Sequence, residues 1–320
     1  MQGFPLAAAL WLVFALAGGS ATPGSETTEP AQGPTFRSGV DLVTVAAVVR
    51  DSKGRLVREL KRDQFEVFDL GVRRVIAEFR PDQAPLTVAL LFDASGSMRV
   101  ASKMDAAKQV AAHVTAWLQP GRDQVALYAF DTSLTELKPF STEKGDLSKS
   151  LADVEPFGMT SLHDAIAETA RRVAARGGSH RAVIVFTDGI DTSSRLTAPE
   201  VSGIASRIDV PVYVLAVTTA IDAPGLKALL APKPDGTAAG NLADLAAWTG
   251  GWLHVCTDGR PAEASVAARE VVSELRHQYL IAFEPGSQPG WHPLEVRVRD
   301  RKLTVRARSG YFAAQPRRGS

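Results

Sequence analysis

The chain has 320 residues, of which 45% are hydrophobic and 22% are charged, and its formal net charge is +1. This is the composition of a globular protein that can hold one large domain with a smaller one, or two to three small domains. The near-neutral charge gives no support for nucleic acid as a partner. The single cysteine, Cys256, excludes an intrachain disulfide framework.

The amino-terminal residues are predicted to be a leader and a tether. Residues 1–21 hold a short apolar stretch followed by small residues, which is typical of a signal peptide, although no Lys or Arg precedes it. An uncleaved membrane anchor is the alternative, but the stretch is short for a membrane span. Residues 22–37 are rich in Thr, Pro, Gly and Glu and are predicted to be a disordered tether. Either form of the leader predicts a secreted, periplasmic or other extracytoplasmic location.

Residues 38–82 are predicted to form a small β module. Alternating apolar residues bounded by turn residues predict strands at 43–49, 65–68 and 75–79. A module of about 40 residues is marginal in size for a stable domain, so we expect it to need further strands.

Residues 85–277 alternate between strand-like and helix-like segments. This alternation predicts an α/β fold, a doubly wound and mostly parallel sheet with helices on both faces. The predicted strands are 87–93, 124–130, 182–188, 210–217 and 251–256. The predicted helices are 102–118, 146–154, 161–176, 198–207, 242–249 and 262–277. Residues 219–240 carry three Pro and three Gly and are predicted to be a surface excursion of unassigned structure.

Residues 278–314 are predicted to be strands again. Segments 294–298 and 303–307 alternate apolar residues with arginines, which predicts an antiparallel hairpin with one packed face and one solvated, arginine-rich face. We expect these strands to complete the amino-terminal module as one β-sandwich-like unit, with the α/β domain inserted into it. Two separate β appendages are the alternative.

Polar side chains stand at three places where predicted strands end or helices begin. Asp93, Ser95 and Ser97 follow the first α/β strand as Asp-x-Ser-x-Ser, Thr160 precedes a helix, and Asp188 ends another buried strand. Ligands of open α/β sheets bind at such strand ends. Carboxylate and hydroxyl oxygens are hard donors that suit Mg²⁺ and cations like it. Capping of helices by these side chains is the simpler alternative, but it accounts for one segment more easily than for all three.

Together the three segments resemble the metal-ion-dependent adhesion site of the von Willebrand factor type A (VWA) domain. The resemblance implies that Ser95 and Ser97 ligate a metal directly, that Asp93 and Asp188 hold metal-bound water, and that Thr160 does either. It implies Mg²⁺ as the cofactor, with Ca²⁺ or Mn²⁺ as alternatives. It also implies a non-enzymatic adhesion module whose protein partner offers an Asp or Glu to the metal.

The resemblance covers roughly residues 85–275, and the order of modules is similar to that of secreted bacterial VWA-related proteins. Met159 departs from the Gly-Gly that often precedes the Thr in this family, and we expect it to make that loop bulkier. Gly96 is expected to be required by a tight turn between the two serines. Cys256 is expected to be a buried, inert thiol.

Two other functions stay open. A Mg²⁺-dependent hydrolase would need a nucleophile or general base near the ion, and the sequence has no Asp-x-Asp, Gly-x-Ser-x-Gly or His-Glu-x-x-His motif. A VWA partner subunit of an ATPase-driven assembly is the third hypothesis, against which the predicted leader argues. Membrane attachment is expected only if the leader is uncleaved.

Overall fold

A computed structural model describes residues 42–81, 84–143, 145, 147–178, 180–219, 224, 226 and 241–313. The predicted leader, the tether and nearly all of the 219–240 excursion lie outside these residues. Across the described ranges, no helix combines the length and the apolar character that crossing a bilayer requires.

The described elements follow one another as strands, then alternating strands and helices, then strands. The strands are β1 Val43–Arg50, β2 Phe65–Asp69, β3 Val72–Arg74, β4 Ile76–Pro81, β5 Leu86–Asp93, β6 Gln124–Phe130, β7 Leu134–Ser141, β8 His180–Thr187, β9 Val212–Thr218, β10 Leu253–Thr257, β11 Tyr279–Phe283, β12 Gly290–Val298, β13 Thr304–Arg306 and β14 Gly310–Ala313. The helices are α1 Lys103–Trp117, α2 Leu147–Ala152, α3 Leu162–Ala174, α4 Ala198–Arg207, α5 Leu242–Trp248 and α6 Pro261–Arg276, and a 3-10 segment spans Gly96–Ser102.

The α/β part is built on a six-stranded sheet in the order β10-β9-β8-β5-β6-β7. Strand β5 pairs in parallel with β6 and β8, and all eight of its residues are buried. Its apolar side chains divide between two cores, one shared with α1 and α6 and the other with α3, α4 and α5. The predicted mostly parallel sheet with helices on both faces is therefore confirmed.

The terminal strands form two four-stranded antiparallel sheets, β13-β1-β11-β4 and β14-β12-β2-β3. In the first, β1 pairs with β11, so that Val45 lies opposite Ile281. In the second, β12 pairs with β2, so that Val296 lies opposite Val67. Side chains of both sheets share one apolar cluster. Each half of the chain thus supplies strands to both sheets, as the predicted fold class requires.

The predicted carboxyl-terminal hairpin is wrong. Strand β12 pairs with β2 and β14, whereas β13 pairs with β1, so the two strands belong to different sheets. The apolar residues of both strands still reach the common cluster, because they approach it from its two opposite sides. Alternation predicts which residues are buried, but it does not predict the partner strand.

The expectation of a solvated arginine face is also wrong for two of its four members. Arg306 donates to the carboxylate of Glu274 on α6. Arg308 is buried and donates to main-chain carbonyls of α4 and β1. Arg297 and Arg299 are exposed, as expected. The difference arises because the end of the chain near β13 packs against the α/β part, so that its polar face is covered.

Candidate functional site

Asp93, Ser95 and Ser97 come together at the carboxyl end of the central strand β5. One oxygen of Asp93 accepts the main-chain N–H of Ser95 at 2.9 Å, and the other accepts the hydroxyl of Thr187 at 2.5 Å. The hydroxyl oxygens of Ser95 and Ser97 lie 3.1 Å apart. Asp93 and Ser95 are buried, whereas Ser97 is exposed. Three side chains of the sequence motif therefore meet at one strand end, and Ser97 opens it to solvent.

Thr187 is a residue of this site that sequence reasoning missed. It is the last residue of β8, the strand that pairs with β5, and it immediately precedes Asp188. Its hydroxyl fixes one oxygen of Asp93 and also accepts the N–H of Gly189 at 3.0 Å. The available signal was a polar residue directly after the apolar run of residues 182–186.

Asp93 carries a carboxylate in an unfavourable environment. Burial raises the pKa of this carboxyl above its ordinary value, and the charge of nearby Asp188 acts in the same direction. Hydrogen bonds from Ser95 and Thr187 partly oppose this effect. A buried acid beside a second acid is stabilised by a nearby cation.

Asp188 follows β8 and is buried, yet only one of its two oxygens is satisfied. Oδ2 accepts a hydrogen bond from the ammonium of Lys103 at 2.8 Å. Oδ1 has no hydrogen-bond partner among the described residues. Lys103 begins α1 and was not predicted to belong to the site. The signal for it was a cation in the first turn of a helix, where the helix dipole disfavours positive charge.

Thr160 lies two residues before α3, and main-chain hydrogen bonds join its loop to the loop of Asp93. The N–H of Gly96 donates to the carbonyl of Gly158 at 3.1 Å, and the N–H of Phe157 donates to the carbonyl of Ala94 at 2.8 Å. Thr160 itself is buried. The structure thus brings the three predicted segments to one edge of the sheet.

The expectation that a tight turn requires Gly96 needs correction. A Cβ on Gly96 would lie 3.4 Å from the carbonyl oxygen of Gly158, an ordinary contact, and Gly96 does not adopt a positive φ. The turn between the serines therefore does not require glycine. Met159 is 53% exposed, so its side chain lies at the surface, and its effect on the bulk of the loop stays a prediction.

Other acids near this edge accept hydrogen bonds from the neighbouring loops. The carboxylate of Asp131, at the end of β6, accepts the N–H of Ser133 at 2.8 Å. Asp191 accepts the hydroxyl of Ser194 at 2.5 Å, and Asp164 accepts two main-chain N–H groups of the same loop. These carboxylates are engaged in shaping the rim, unlike the free oxygen of Asp188.

The residues of the site fit a hard divalent cation by their chemistry. All the candidate donors are hydroxyl or carboxylate oxygens, which Mg²⁺, Ca²⁺ and Mn²⁺ prefer. The unpartnered oxygen of Asp188 is suited to accept a hydrogen bond from a metal-bound water. The described part of the chain holds no cluster of three or more His, Cys, Asp or Glu that could bind a metal. Cys256 is buried, and burial raises its pKa to about 12, so it supplies no thiolate ligand.

Comparison with known proteins concerns the α/β part of the chain. The family model for the von Willebrand factor type A domain matches residues 88–190, which include Asp93, Thr160 and Asp188. We conclude that the chain contains a VWA domain. No curated protein matches the chain by sequence.

Several solved structures resemble the chain distantly. BatB from Bacteroides thetaiotaomicron is 20% identical, with a TM-score of 0.45 over 59% of this chain and 98% of that one. A von Willebrand factor type A protein from Catenulispora acidiphila is 14% identical, with a TM-score of 0.47 over 87% and 76% of the two chains. The PilB minor pilin from Streptococcus sanguinis is 12% identical, with a TM-score of 0.42 over 61% and 62%. Because these TM-scores are below 0.5, the assignment rests on the sheet topology and the family match.

Proposed function

We propose that the protein is a non-enzymatic, metal-dependent binding module for another protein. In this proposal Asp93, Ser95, Ser97, Thr160 and Asp188 hold Mg²⁺, or alternatively Ca²⁺ or Mn²⁺. The ligand is a protein that presents an Asp or Glu side chain, and nucleic acid is not a partner. VWA domains are generally protein-interaction modules, which supports the class of function.

The observation that carries the proposal is the charge imbalance at the end of β5 and β8. Among the described residues, the two buried carboxylates Asp93 and Asp188 have one ammonium as an ion-pair partner, that of Lys103. One oxygen of Asp188 has no hydrogen-bond partner in the described structure. Buried carboxylates that lack full compensation are costly, so the site favours an additional cation.

The hydroxyl and carboxylate groups of the site have different roles in binding that cation. Ser95 and Ser97 offer neutral hydroxyl oxygens, which leave the positive charge of an ion largely uncompensated. Asp93 is kept in one orientation by hydrogen bonds from Ser95 and Thr187. When bound, the metal supplies a positive charge that an acidic side chain of a partner can bind. Ser97 is exposed, which leaves the site accessible to that partner.

Calorimetric titration of the full chain with MgCl₂ tests this proposal. We expect saturable binding that is lost in Asp93→Asn and in Ser97→Ala. Asp131→Asn is the matched control, because Asp131 also ends a neighbouring strand but binds its own turn. Circular dichroism of each variant checks that it is folded. The proposal fails if the wild type does not bind Mg²⁺, or if Asp93→Asn binds it as tightly as the wild type.

The proposal extends to activity and location. We expect no turnover of generic phosphoester or peptide substrates with Mg²⁺, and metal-dependent turnover would instead favour a hydrolase. From the leader we propose a secreted or periplasmic location, with membrane attachment only if the leader is retained. Mass spectrometry of the mature protein tests the leader, and a mature chain that begins at Met1 would contradict cleavage.

A further inference from the structure

Four large apolar side chains are exposed on the loops that carry the candidate metal site. Val100, Phe157, Met159 and Ile190 are 62%, 73%, 53% and 52% exposed. The described part of the chain has twelve exposed large hydrophobic residues, and these loops hold a third of them. Single exposed hydrophobic residues are ordinary, but a group on adjoining loops marks an interaction surface.

Main-chain hydrogen bonds hold these loops beside one another. Phe157 donates its N–H to the carbonyl of Ala94, next to Ser95, at 2.8 Å. The guanidinium of Arg99 donates to the carbonyl of Pro156 at 3.0 Å, which ties the 3-10 segment carrying Val100 to the same loop. These contacts join the loops of Val100 and Phe157, and we call the set of Val100, Phe157, Met159 and Ile190 the apolar rim.

The remaining two members adjoin the polar centre along the chain. Met159 immediately precedes Thr160, and Ile190 is two residues beyond Asp188. The N–H of Thr192 donates to the carbonyl of Thr160 at 2.9 Å, so the loop after Asp188 is joined to the loop after Met159. Buried carboxylates and hydroxyls thus lie at the centre, with exposed apolar side chains on the loops around them.

We propose that the apolar rim selects the partner, and that the ligand is an exposed peptide segment in which an Asp or Glu is flanked by large apolar residues. This inference rests on the proposed metal-dependent function, because the acidic side chain needs a cation at the centre. The rim adds a second requirement. Burying its apolar side chains gains free energy when the ligand covers them with an apolar surface of its own. A partner with polar residues around its acid would leave the rim hydrated and would bind more weakly.

A random peptide library displayed on phage, selected on the immobilised full chain with Mg²⁺ and eluted with EDTA, tests the inference. We expect the enriched peptides to contain an Asp or Glu with a large apolar residue on at least one side. A synthetic peptide of the enriched sequence is then titrated against the protein by fluorescence anisotropy. The double variant Phe157→Ser/Met159→Ser should bind it about tenfold more weakly, from the loss of two apolar contacts.

Two controls separate the rim from the metal site. Mg²⁺ affinity measured by calorimetry should be unchanged in the double variant, because neither side chain is a proposed ligand. Val266→Ser, which removes a 45% exposed apolar residue from α6, should leave peptide affinity unchanged.

Three outcomes overturn the inference while the metal-dependent function stands: enriched acidic peptides without apolar neighbours, a double variant with wild-type peptide affinity, or no enrichment over a selection in EDTA despite Mg²⁺ binding. If the wild type does not bind Mg²⁺, the proposed function itself fails.

Discussion

Glu274 joins the two ends of the chain to the α/β part, and replacing it with Gln should destabilise the whole protein. Its side chain is fully buried on α6. Its carboxylate accepts from Arg50 of β1 at 2.5 Å, from Arg306 of β13, and from the indole N–H of Trp252 at 2.8 Å. Gln is nearly the same size but uncharged, and it leaves both guanidinium groups without their main counter-charge.

The magnitude follows from the burial of the carboxylate. Removing one partner of a buried ion pair costs about 3–5 kcal/mol, because the remaining charge stays uncompensated. This is a large part of the roughly 5–15 kcal/mol by which globular proteins are stable. For a protein of this size we expect the melting temperature of Glu274→Gln to fall by roughly 6–20 °C.

Glu270→Gln is the matched control for this prediction. Glu270 lies one turn earlier on α6, its side chain is 45% exposed, and its carboxylate is 3.9 Å from Arg50. Such a solvated pair contributes about 0–1 kcal/mol, so this variant should resemble the wild type. Urea unfolding monitored by circular dichroism measures both variants. If Glu274→Gln loses no more stability than Glu270→Gln, the interpretation of the buried network is wrong.

Two further predictions concern Lys103 and Asp123. Lys103→Met should tighten Mg²⁺ binding about tenfold, because the ammonium 2.8 Å from Asp188 opposes a second cation, and calorimetry against Lys108→Met measures this. An unchanged or weaker affinity would contradict it. Burial alone would raise the pKa of Asp123, but hydrogen bonds from Arg276 and from two main-chain N–H groups hold it below its ordinary value. The ionised Asp123 therefore stabilises the fold above about pH 4, and this stabilisation is lost on acidification. The free energy of unfolding of Asp123→Asn should be about 2–4 kcal/mol below that of the wild type at pH 7, and the difference should be smaller at pH 3. Urea titrations measure this difference, and a difference that grows at low pH would contradict the prediction.

The central part of the fold is predictable because its strands are buried on both faces. Strands such as β5 and β9 are continuous apolar runs, and such runs are typical of parallel sheets covered by helices. The edge strand β7 was missed, since Leu134–Ser141 contains a proline and no residue of it is fully buried. Its antiparallel pairing with β6 depends on tertiary contacts that alternation cannot reveal.

The candidate site was only partly predictable, for a similar reason. Asp93 and Asp188 could be found because acids at the ends of apolar strands are local patterns. The ion pair between Lys103 and Asp188 joins residues 85 positions apart, and nothing in the spacing of charges indicates it. The exposure of Ile190 and Phe157 could not be predicted either, because an isolated apolar residue in a loop has no periodic pattern that indicates whether it is buried.

The backbone immediately before Lys103 breaks local rules, and this makes a last prediction. Ala101 and Ser102 have φ values of 52° and 57°, a left-handed conformation that costs a non-glycine residue roughly 1–2 kcal/mol. Ser102 occupies the N-cap of α1 without a side-chain hydrogen bond to the helix. Strained backbone of this kind persists where surrounding contacts hold it, and here the ion pair of Lys103 with Asp188 is the contact that follows it.

Glycine adopts the left-handed region without this penalty, so Ala101→Gly should keep the stability of the wild type or raise it by up to about 1 kcal/mol. Ala112→Gly, an exposed position within α1, should instead lose about 1 kcal/mol, the ordinary effect of glycine in a helix. Urea unfolding of the two variants compares the same Ala→Gly substitution in a left-handed and in a helical backbone conformation. Equal losses of unfolding free energy in the two variants would show that the backbone at Ala101 is not strained. The ion pair of Lys103 with Asp188 would then not be what holds a strained backbone in place.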